Sequence, residues 1–361
     1  MRVAIVHDWL VCDAGAEKVL EAILSLYPDA TIYTLVDFLT PHQRDRVLHG
    51  KTTITSFIQK LPLAKKHFRN YLPLFTRAIE SFDVSQFDLV ISSSWAVAKG
   101  VKTNSTQTHV CYCHTPVRYA WDLYEEYTSN LTGIKKLVVK MSLKRLRAWD
   151  RSTASRVDHF VANSKFVAGR IERTYGTSST VIYPPVDTDQ FSLCAKKNNF
   201  YLTASRLVPY KKTALIVEAF TKMPHRKLVV IGSGEELGYI REIATPNIEI
   251  LGYCTDETLV DHMQRACAFV YAAVEDFGIV PIEALACGTP VIGLDDGGTA
   301  ETIVDKKNGI HFKRQSVEEI MRAVSRFELN EFDLEQISKD ALLYSKQRFL
   351  KQFKDFIDSV L

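Results

Sequence analysis

No stretch of the 361 residues approaches the roughly 18 to 20 consecutive apolar residues that cross a bilayer, and the longest candidates, such as Cys267 to Val274, read as buried strands. A chain that spans a membrane by helices is therefore not expected. The opening Met-Arg-Val-Ala-Ile-Val runs straight on to Asp8 with no basic n-region, sustained apolar stretch or small-residue cleavage site. No secretory signal is read there, and the cytoplasm is the expected location. Cysteine is sparse and odd in number: Cys12, Cys111, Cys113, Cys194, Cys254, Cys267 and Cys287 lie scattered through apolar segments, which suits reduced thiols rather than disulfides. Cys111-x-Cys113-His114 has no second Cys/His pair, so no metal site is expected. The sequons at Asn104 and Asn130 are silent without secretion. No G-x-G-x-x-G fingerprint follows a strand, which argues against a dinucleotide oxidoreductase.

What is present is ordinary globular material: 46% hydrophobic and 24% charged residues, long enough for two domains with cores of their own. Short apolar, β-branched runs alternate with helical patterns at Val3 to Val6, Thr31 to Val36, Leu89 to Ser92, His109 to Cys113 and His159 to Ala162. That rhythm predicts βαβ units and a parallel sheet. It pauses at Tyr183-Pro184-Pro185-Val186-Asp187, where prolines disfavour helix, and restarts at Phe200 to Ala204, Leu228 to Ile231, Ile248 to Leu251, Ala268 to Ala272 and Pro290 to Gly293. The fold class read here is α/β, two doubly wound Rossmann-like domains over residues 1–187 and 188–345. Ligands of such domains sit outside the carboxyl ends of the strands, and the active site is expected in the crevice facing the other domain. The short Asp187-x-Asp189 pattern is read as linker.

Charge is unevenly shared, with a net +7 over residues 1–187 and −4 over the remainder. The basic excess gathers in Arg44 to Arg77 and Lys135 to Arg151. In the first, Lys60, Lys65, Lys66 and Arg69 interleave with Leu61, Leu63, Phe68, Tyr71, Leu72, Leu74 and Phe75. This mixture fits an anionic membrane surface, and equally a solvated basic face over a core-facing stripe. Nucleic acid is not an expected partner, because no binding motif accompanies the charge.

The segment richest in chemistry is Glu275-Asp276-Phe277-Gly278-Ile279-Val280-Pro281-Ile282-Glu283, between a buried strand and an apolar helical pattern ending at Cys287-Gly288-Thr289-Pro290. Gly278 permits close backbone approach, Pro281 suits a first helical turn, and the amides between them make a positive helix N-terminus that can seat a phosphate or a sugar hydroxyl. Glu275 and Glu283 could then hold different hydroxyls of one ligand, or merely cap and solvate the helix start.

In this context the segment resembles the E-x7-E signature of the retaining glycosyltransferases of family 4, which have the GT-B fold. Ser205-Arg206-Leu207-Val208-Pro209-Tyr210-Lys211 resembles the family's Arg-x4-Lys element, and Val230-Ile231-Gly232-Ser233-Gly234 its Gly-x-Gly turn. Asn163-Ser164-Lys165, Tyr183 to Asp187 and Gly297-Gly298-Thr299-Ala300-Glu301-Thr302 also match in order and spacing. Asp13-Ala14-Gly15-Ala16-Glu17-Lys18 resembles the glycine-rich loop that the family brings against donor phosphates and acceptor, with Ala14 where the first glycine is usual. Cys113-His114-Thr115-Pro116 to Asp122 is similar to bacterial mannosyltransferases that build O-antigens and related polysaccharides.

The resemblance implies catalytic roles for His114, Arg206, Lys211 and Glu275, and contacts to the nucleotide sugar from Gly15, Gly232, Ser233, Phe277, Gly278, Ile279, Val280 and Glu283. Arg206 and Lys211 would hold the departing diphosphate, whose charge grows in the transition state, without a metal or other cofactor. It further implies GDP-mannose as donor, a lipid-linked oligosaccharide of the bacterial surface as acceptor in lipopolysaccharide or polysaccharide biosynthesis, and peripheral contact with the inner face of the plasma membrane. Residues 346–361, with Phe349, Phe353, Phe356 and Val360 at helical spacing, are expected to cross back onto the N-terminal domain. A sugar-nucleotide 2-epimerase and a catalytically silent nucleotide-sugar-binding subunit are the alternatives.

Overall fold

The computed structural model describes residues 1–122 and 132–361; the Asn130 sequon lies outside them. The chain divides into two compact units, the first comprising Met1–Pro184 with Phe349–Leu361 and the second Pro185–Arg348. The division therefore falls three residues before the expected boundary. Val186 already belongs to the second unit because its N–H donates to Tyr344 O at 2.9 Å and it bridges to Ser345.

In the first unit, seven strands, β1 (Val3–His7), β2 (Thr31–Thr34), β3 (Ile54–Thr55), β4 (Leu89–Ser94), β5 (Thr108–Cys113), β6 (His159–Ala162) and β7 (Thr180–Val181), form one parallel sheet in the order 3-2-1-4-5-6-7. Both faces are covered, so the strands are apolar on both sides. Val3 and Ile5 point into a core shared with Leu20 and Ile23 of the helix Gly15–Leu26, while Ala4 and Val6 point into one shared with Phe75 and Ile79 of the helix Leu72–Ile79. The first of these cores also takes the closing helix, Lys346–Val360. Its buried stripe is Phe349, Phe353 and Ile357, spaced four apart, with the Phe349 and Phe353 rings against Tyr112 at 5.8 and 6.3 Å. Phe356 and Val360, which the sequence places on the same face, lie at its margin and are only partly buried. Ile357, not read as part of that face, is buried in their place.

In the second unit, β8 (Tyr201–Ala204), β9 (Leu228–Ile231), β10 (Ile248–Gly252), β11 (Ala268–Tyr271), β12 (Val291–Leu294) and β13 (Gly309–Phe312) form a six-stranded parallel sheet in the order 10-9-8-11-12-13. Each sheet reverses its winding once, between β1 and β4 and between β8 and β11. Outside the carboxyl ends of strands at such a reversal is where doubly wound domains bind their ligands. Three strands are absent from the sequence reading. β3 and β7 are two residues long, and β13 begins on a glycine and is interrupted by His311.

Candidate functional site

At the switch point of the second unit, the chain leaving β8 runs against the turn after β9. Ser205 N–H donates to Ile231 O at 3.1 Å and Leu207 N–H to Ser233 O at 2.9 Å. Gly232 sits at φ 139°, and a Cβ there would lie 1.8 Å from Ser205 O. Glycine is thus required at 232 by main-chain approach, and Arg206 is held between two anchored neighbours. Its side chain is exposed and donates to the Tyr210 hydroxyl at 3.2 Å. Ser233 is exposed as well.

The short 3₁₀ turn Pro209–Lys211 ends at Lys212, whose φ of 57° turns the chain into the helix Thr213–Thr221. This throws the Lys211 side chain across to the loop after β11. Its ammonium donates to Glu275 Oε1 at 2.5 Å and to the Tyr271 hydroxyl at 3.2 Å. Burial works against the charge on Lys211, but Tyr271 and Glu275 outweigh it and the net shift of its pKa is upward. Burial also raises the Tyr271 phenol, with the Glu275 charge adding to the effect, so Tyr271 stays neutral and Glu275 supplies the anion.

Gly278, at φ 86°, opens the helix Ile279–Ala286 and has no side chain with which to cap it. Amides at Ile279 and Val280, both half-buried, head a positive dipole end. The loop preceding it is clamped by the Gly297-Gly298 turn: Gly298 N–H donates to Glu275 O at 2.7 Å, and a Cβ at 298 would come within 2.3 Å of Phe277 Cα. Phe277 is buried with its ring 5.6 Å from that of Tyr344, so what it can present to a ligand is main chain. Glu283 lies on the inner side of the same helix, 3% exposed, and does not solvate the helix start.

The first unit builds a second constellation at its own switch point. Asp8, just after β1, is fully buried and accepts the backbone N–H groups of Trp95, Ala96, Val97 and Ala98 at 2.6 to 2.8 Å. Burial raises its pKa, and the Trp95, Val97 and Ala98 donors oppose the rise. They lock β1 to the turn after β4. The helix Gly15–Leu26 opens at Ala14, whose φ of −138° and ψ of −165° are extended and accept a Cβ, which is why alanine serves where glycine is usual. Ala14 N–H donates to Glu17 Oε2 at 3.1 Å. Gly15 follows as the first helical residue, half-buried.

His114 follows β5. Its Nε2 is hydrogen-bonded to Ser93 Oγ of β4 at 2.8 Å, and its ring meets Trp95 and Tyr112 edge-on at 5.6 and 5.2 Å. One edge of the imidazole is thus tied to the sheet. Burial, with His7 nearby, pushes its pKa down to about 3, so the ring is neutral at neutral pH. Cys111 and Cys113 are buried among apolar side chains of β5, β6 and the helix Lys165–Tyr175. Among the described residues no cluster of three or more His, Cys, Asp or Glu side chains is arranged to hold a metal. The sequence reading missed His7, Asp8, Glu17, Ser93 and Tyr271. The available signal was position, since each but Glu17 lies at the end of a strand, or directly after it, next to a switch point.

Two family models account for these two halves. "Glycosyltransferase Family 4" matches residues 34–190 and "Glycosyl transferases group 1" residues 187–343. The chain belongs to the GT-B glycosyltransferases. An uncharacterized glycosyltransferase of Methanocaldococcus jannaschii is 25% identical over 223 residues, 60% of this chain and 62% of the relative. A GDP-mannose-dependent monoacylated alpha-(1-6)-phosphatidylinositol monomannoside mannosyltransferase of Corynebacterium glutamicum is 29% identical over 184 residues, 42% and 48% of the two chains. The match thus spans about half to three fifths of these relatives. The alpha-1,3/1,6-mannosyltransferase ALG2 of Candida glabrata is 24% identical, covering 84% of this chain and 78% of that protein. Among solved structures, Anabaena HepE in complex with UDP superposes with a TM-score of 0.73 at 16% identity, covering 99% of this chain and 100% of the other. At that identity the likeness is one of fold. No described helix of this GT-B chain is long and apolar enough to cross a membrane.

Proposed function

We propose that this chain is a retaining, metal-independent glycosyltransferase that moves mannose from GDP-mannose onto a lipid-linked glycan. The observation that carries the reading is the Lys211 ammonium, held charged by Glu275 in the loop that leads to the helix opening at Gly278. A nucleoside diphosphate leaving group gains negative charge as its bond to the sugar breaks. A fixed cation and a helix N-terminus both stabilise that charge more in the transition state than in the ground state. Arg206, exposed and on an anchored backbone, supplies a second cation able to swing onto the phosphates. Glu275 and Glu283 then take hydroxyls of the donor sugar and ribose. Retention follows from front-face attack within an ion pair, with the leaving phosphate helping to accept the acceptor's proton. The mannosyltransferases among the relatives support the choice of donor.

A lipid-linked acceptor fits the surface of the first unit. Phe68 and Phe75 of the basic segment are core residues, whereas Lys60, Lys65, Lys66 and Arg77 are exposed beside Phe57, Leu63 and Leu74. The helix Gly133–Ser152 packs beside Leu72–Ile79 and exposes Leu137, Val138 and Met141 among Lys140, Lys144 and Arg145. Apolar side chains ringed by lysine and arginine suit the interface of an anionic inner membrane leaflet.

The test is to incubate the purified protein with GDP-mannose and a panel of other nucleotide sugars and follow slow donor hydrolysis and transfer. Turnover of GDP-mannose above the other donors, unaffected by EDTA, is expected. Binding without hydrolysis of any donor would identify a silent binding subunit instead, and epimerised donor an epimerase.

A further inference from the structure

A chain of buried polar groups runs behind His114. Glu17 Oε1 faces His7 Nε2 at 3.8 Å, His7 Nδ1 is 3.1 Å from Ser93 Oγ, and Ser93 Oγ is 2.8 Å from His114 Nε2. His7 and Ser93 are fully buried and Glu17 is 2% exposed. Strands β1 and β4 supply His7 and Ser93, paired in register, and the first turn of the helix Gly15–Leu26 supplies Glu17. Heavy-atom positions leave open which ring nitrogens carry protons, but the partners decide it.

We propose that Glu17, His7 and Ser93 are positioning residues that fix the tautomer of His114, placing its proton on Nε2 and leaving Nδ1 as a hydrogen-bond acceptor. The direction of donation along the chain follows from the carboxylate. Glu17 can only accept, and its other oxygen is engaged by Ala14 N–H. At 3.8 Å the Glu17 carboxylate does not hydrogen-bond His7 Nε2, a buried atom with no hydrogen-bond partner among the described residues, but it acts on the ring through its charge: in a neutral His7 a bare Nε2 would set a lone pair against the carboxylate, so the proton sits on Nε2. His7 Nδ1 is then bare and accepts the Ser93 hydroxyl proton. A hydroxyl that has donated its one proton can only accept from its other neighbour, so His114 must donate through Nε2. Among the described residues none hydrogen-bonds His114 Nδ1, and the residue is half-buried rather than sealed. His114 therefore offers a ligand an acceptor and not a donor. On the glycosyltransferase reading, to which this part alone is tied, it receives a hydrogen bond from a hydroxyl of the donor sugar.

The tautomer can be read directly, without substrate, from long-range proton–nitrogen correlation spectra of protein labelled at the histidine ring nitrogens, with His114 assigned by its loss in His114→Gln. Wild type should show His114 protonated on Nε2 alone. Glu17→Gln is the decisive variant. Its amide oxygen can keep the bond from Ala14 N–H while its NH₂ turns the positive end of a dipole, in place of a negative charge, toward His7 Nε2; that favours a bare Nε2, moves the His7 proton to Nδ1 and reverses every donor in the chain. His114 should then carry its proton on Nδ1, although residue 17 does not touch it. Ser93→Ala should leave His114 without a fixed tautomer, and Ser93→Thr, which restores the hydroxyl, should restore the wild-type pattern. Backbone amide spectra establish that each variant is folded, and Ser93→Ala serves should Glu17→Gln fail to fold. A wild-type His114 protonated on Nδ1, or a folded Glu17→Gln or Ser93→Ala protein with the wild-type tautomer, would overturn the relay. Failure of the protein to process any nucleotide sugar would leave these spectra unchanged, so the two ideas fail separately.

Discussion

Lys211 and Glu275, carried by loops that leave neighbouring strands β8 and β11, form an ion pair of 2.5 Å in which neither side chain is more than 17% exposed. The pair prepares the site in two ways. It keeps the lysine charged against burial, and it holds the ammonium in one place before a ligand arrives, so less ordering is needed on binding. An incoming diphosphate must share that ammonium with the carboxylate. Glu275→Gln should therefore hold or strengthen the affinity for free GDP while transfer falls by on the order of 10²-fold, because the carboxylate's hydrogen bond is to the sugar and not to the nucleotide. Titration calorimetry with GDP beside an initial-rate assay checks both halves. A parallel loss of GDP affinity would place Glu275 on the nucleotide instead.

Removing either cation should weaken the binding of GDP as well as transfer. Arg206→Ala and Lys211→Ala should each lower transfer by roughly 10² or more, since each deletes a charge-assisted hydrogen bond that strengthens as the leaving group departs. EDTA should change nothing. Strong inhibition by chelator reversed by Mn²⁺, or near-normal rates in both variants, would rule out the metal-free scheme.

Glu283 is buried on the inner side of its helix, so Glu283→Gln preserves volume while removing the charge. The variant should fold and bind GDP at least about tenfold more weakly, the scale of one charged hydrogen bond. Calorimetric affinity equal to wild type would remove Glu283 from the ribose.

Membrane attachment is best probed away from Arg69, whose guanidinium lies 4.8 Å over the Phe68 ring and contributes to packing. Reversal of Lys60, Lys65 and Lys66 to glutamate should release the protein from anionic vesicles, each lysine being worth about 1 kcal/mol near such a surface. Co-sedimentation indifferent to both these changes and to salt would contradict the assignment.

Acid should unfold the first unit early. His109 is buried between Ser92 Oγ and Arg156 O, and burial pushes its pKa down to about 4. Unfolded, it titrates near 6.5, so between about pH 6.5 and 4 the unfolded chain takes up a proton that the folded one refuses. Stability thus falls as pH drops through that window, by up to about 1.4 kcal/mol per unit for this residue, and His114 acts in the same direction. His109→Gln should flatten the dependence of the urea midpoint on pH in that window and leave its slope unchanged above about pH 7.

Much of this was written in the order of the residues. Apolar runs of four to six, punctuated by turn residues, settled the two parallel sheets, because a strand covered by helices on both faces has to be apolar on both. Gly278 with Pro281, and Arg206 ahead of the turn Pro209-Tyr210-Lys211, marked the chemistry of the second unit, since a helix start and a basic turn are local matters. Strand order, by contrast, was not legible: which strands lie next to β1 and β8 depends on contacts between residues far apart in sequence. That order made the ion pair of Lys211 with Glu275, sixty-four positions on, and set Ser93 between His7 and His114. Gly232 shows the two contributions meeting in one residue. The sequence supplied a glycine, and only the approach of Ser205 O to within 1.8 Å of where a Cβ would stand decided that nothing larger fits. Likewise the segment holding Phe68 and Phe75 read equally as a membrane-facing mixture and as a basic face over a core-facing stripe, and packing against Trp9 put these two rings in the core, because amphipathic spacing defines a face but not what covers it.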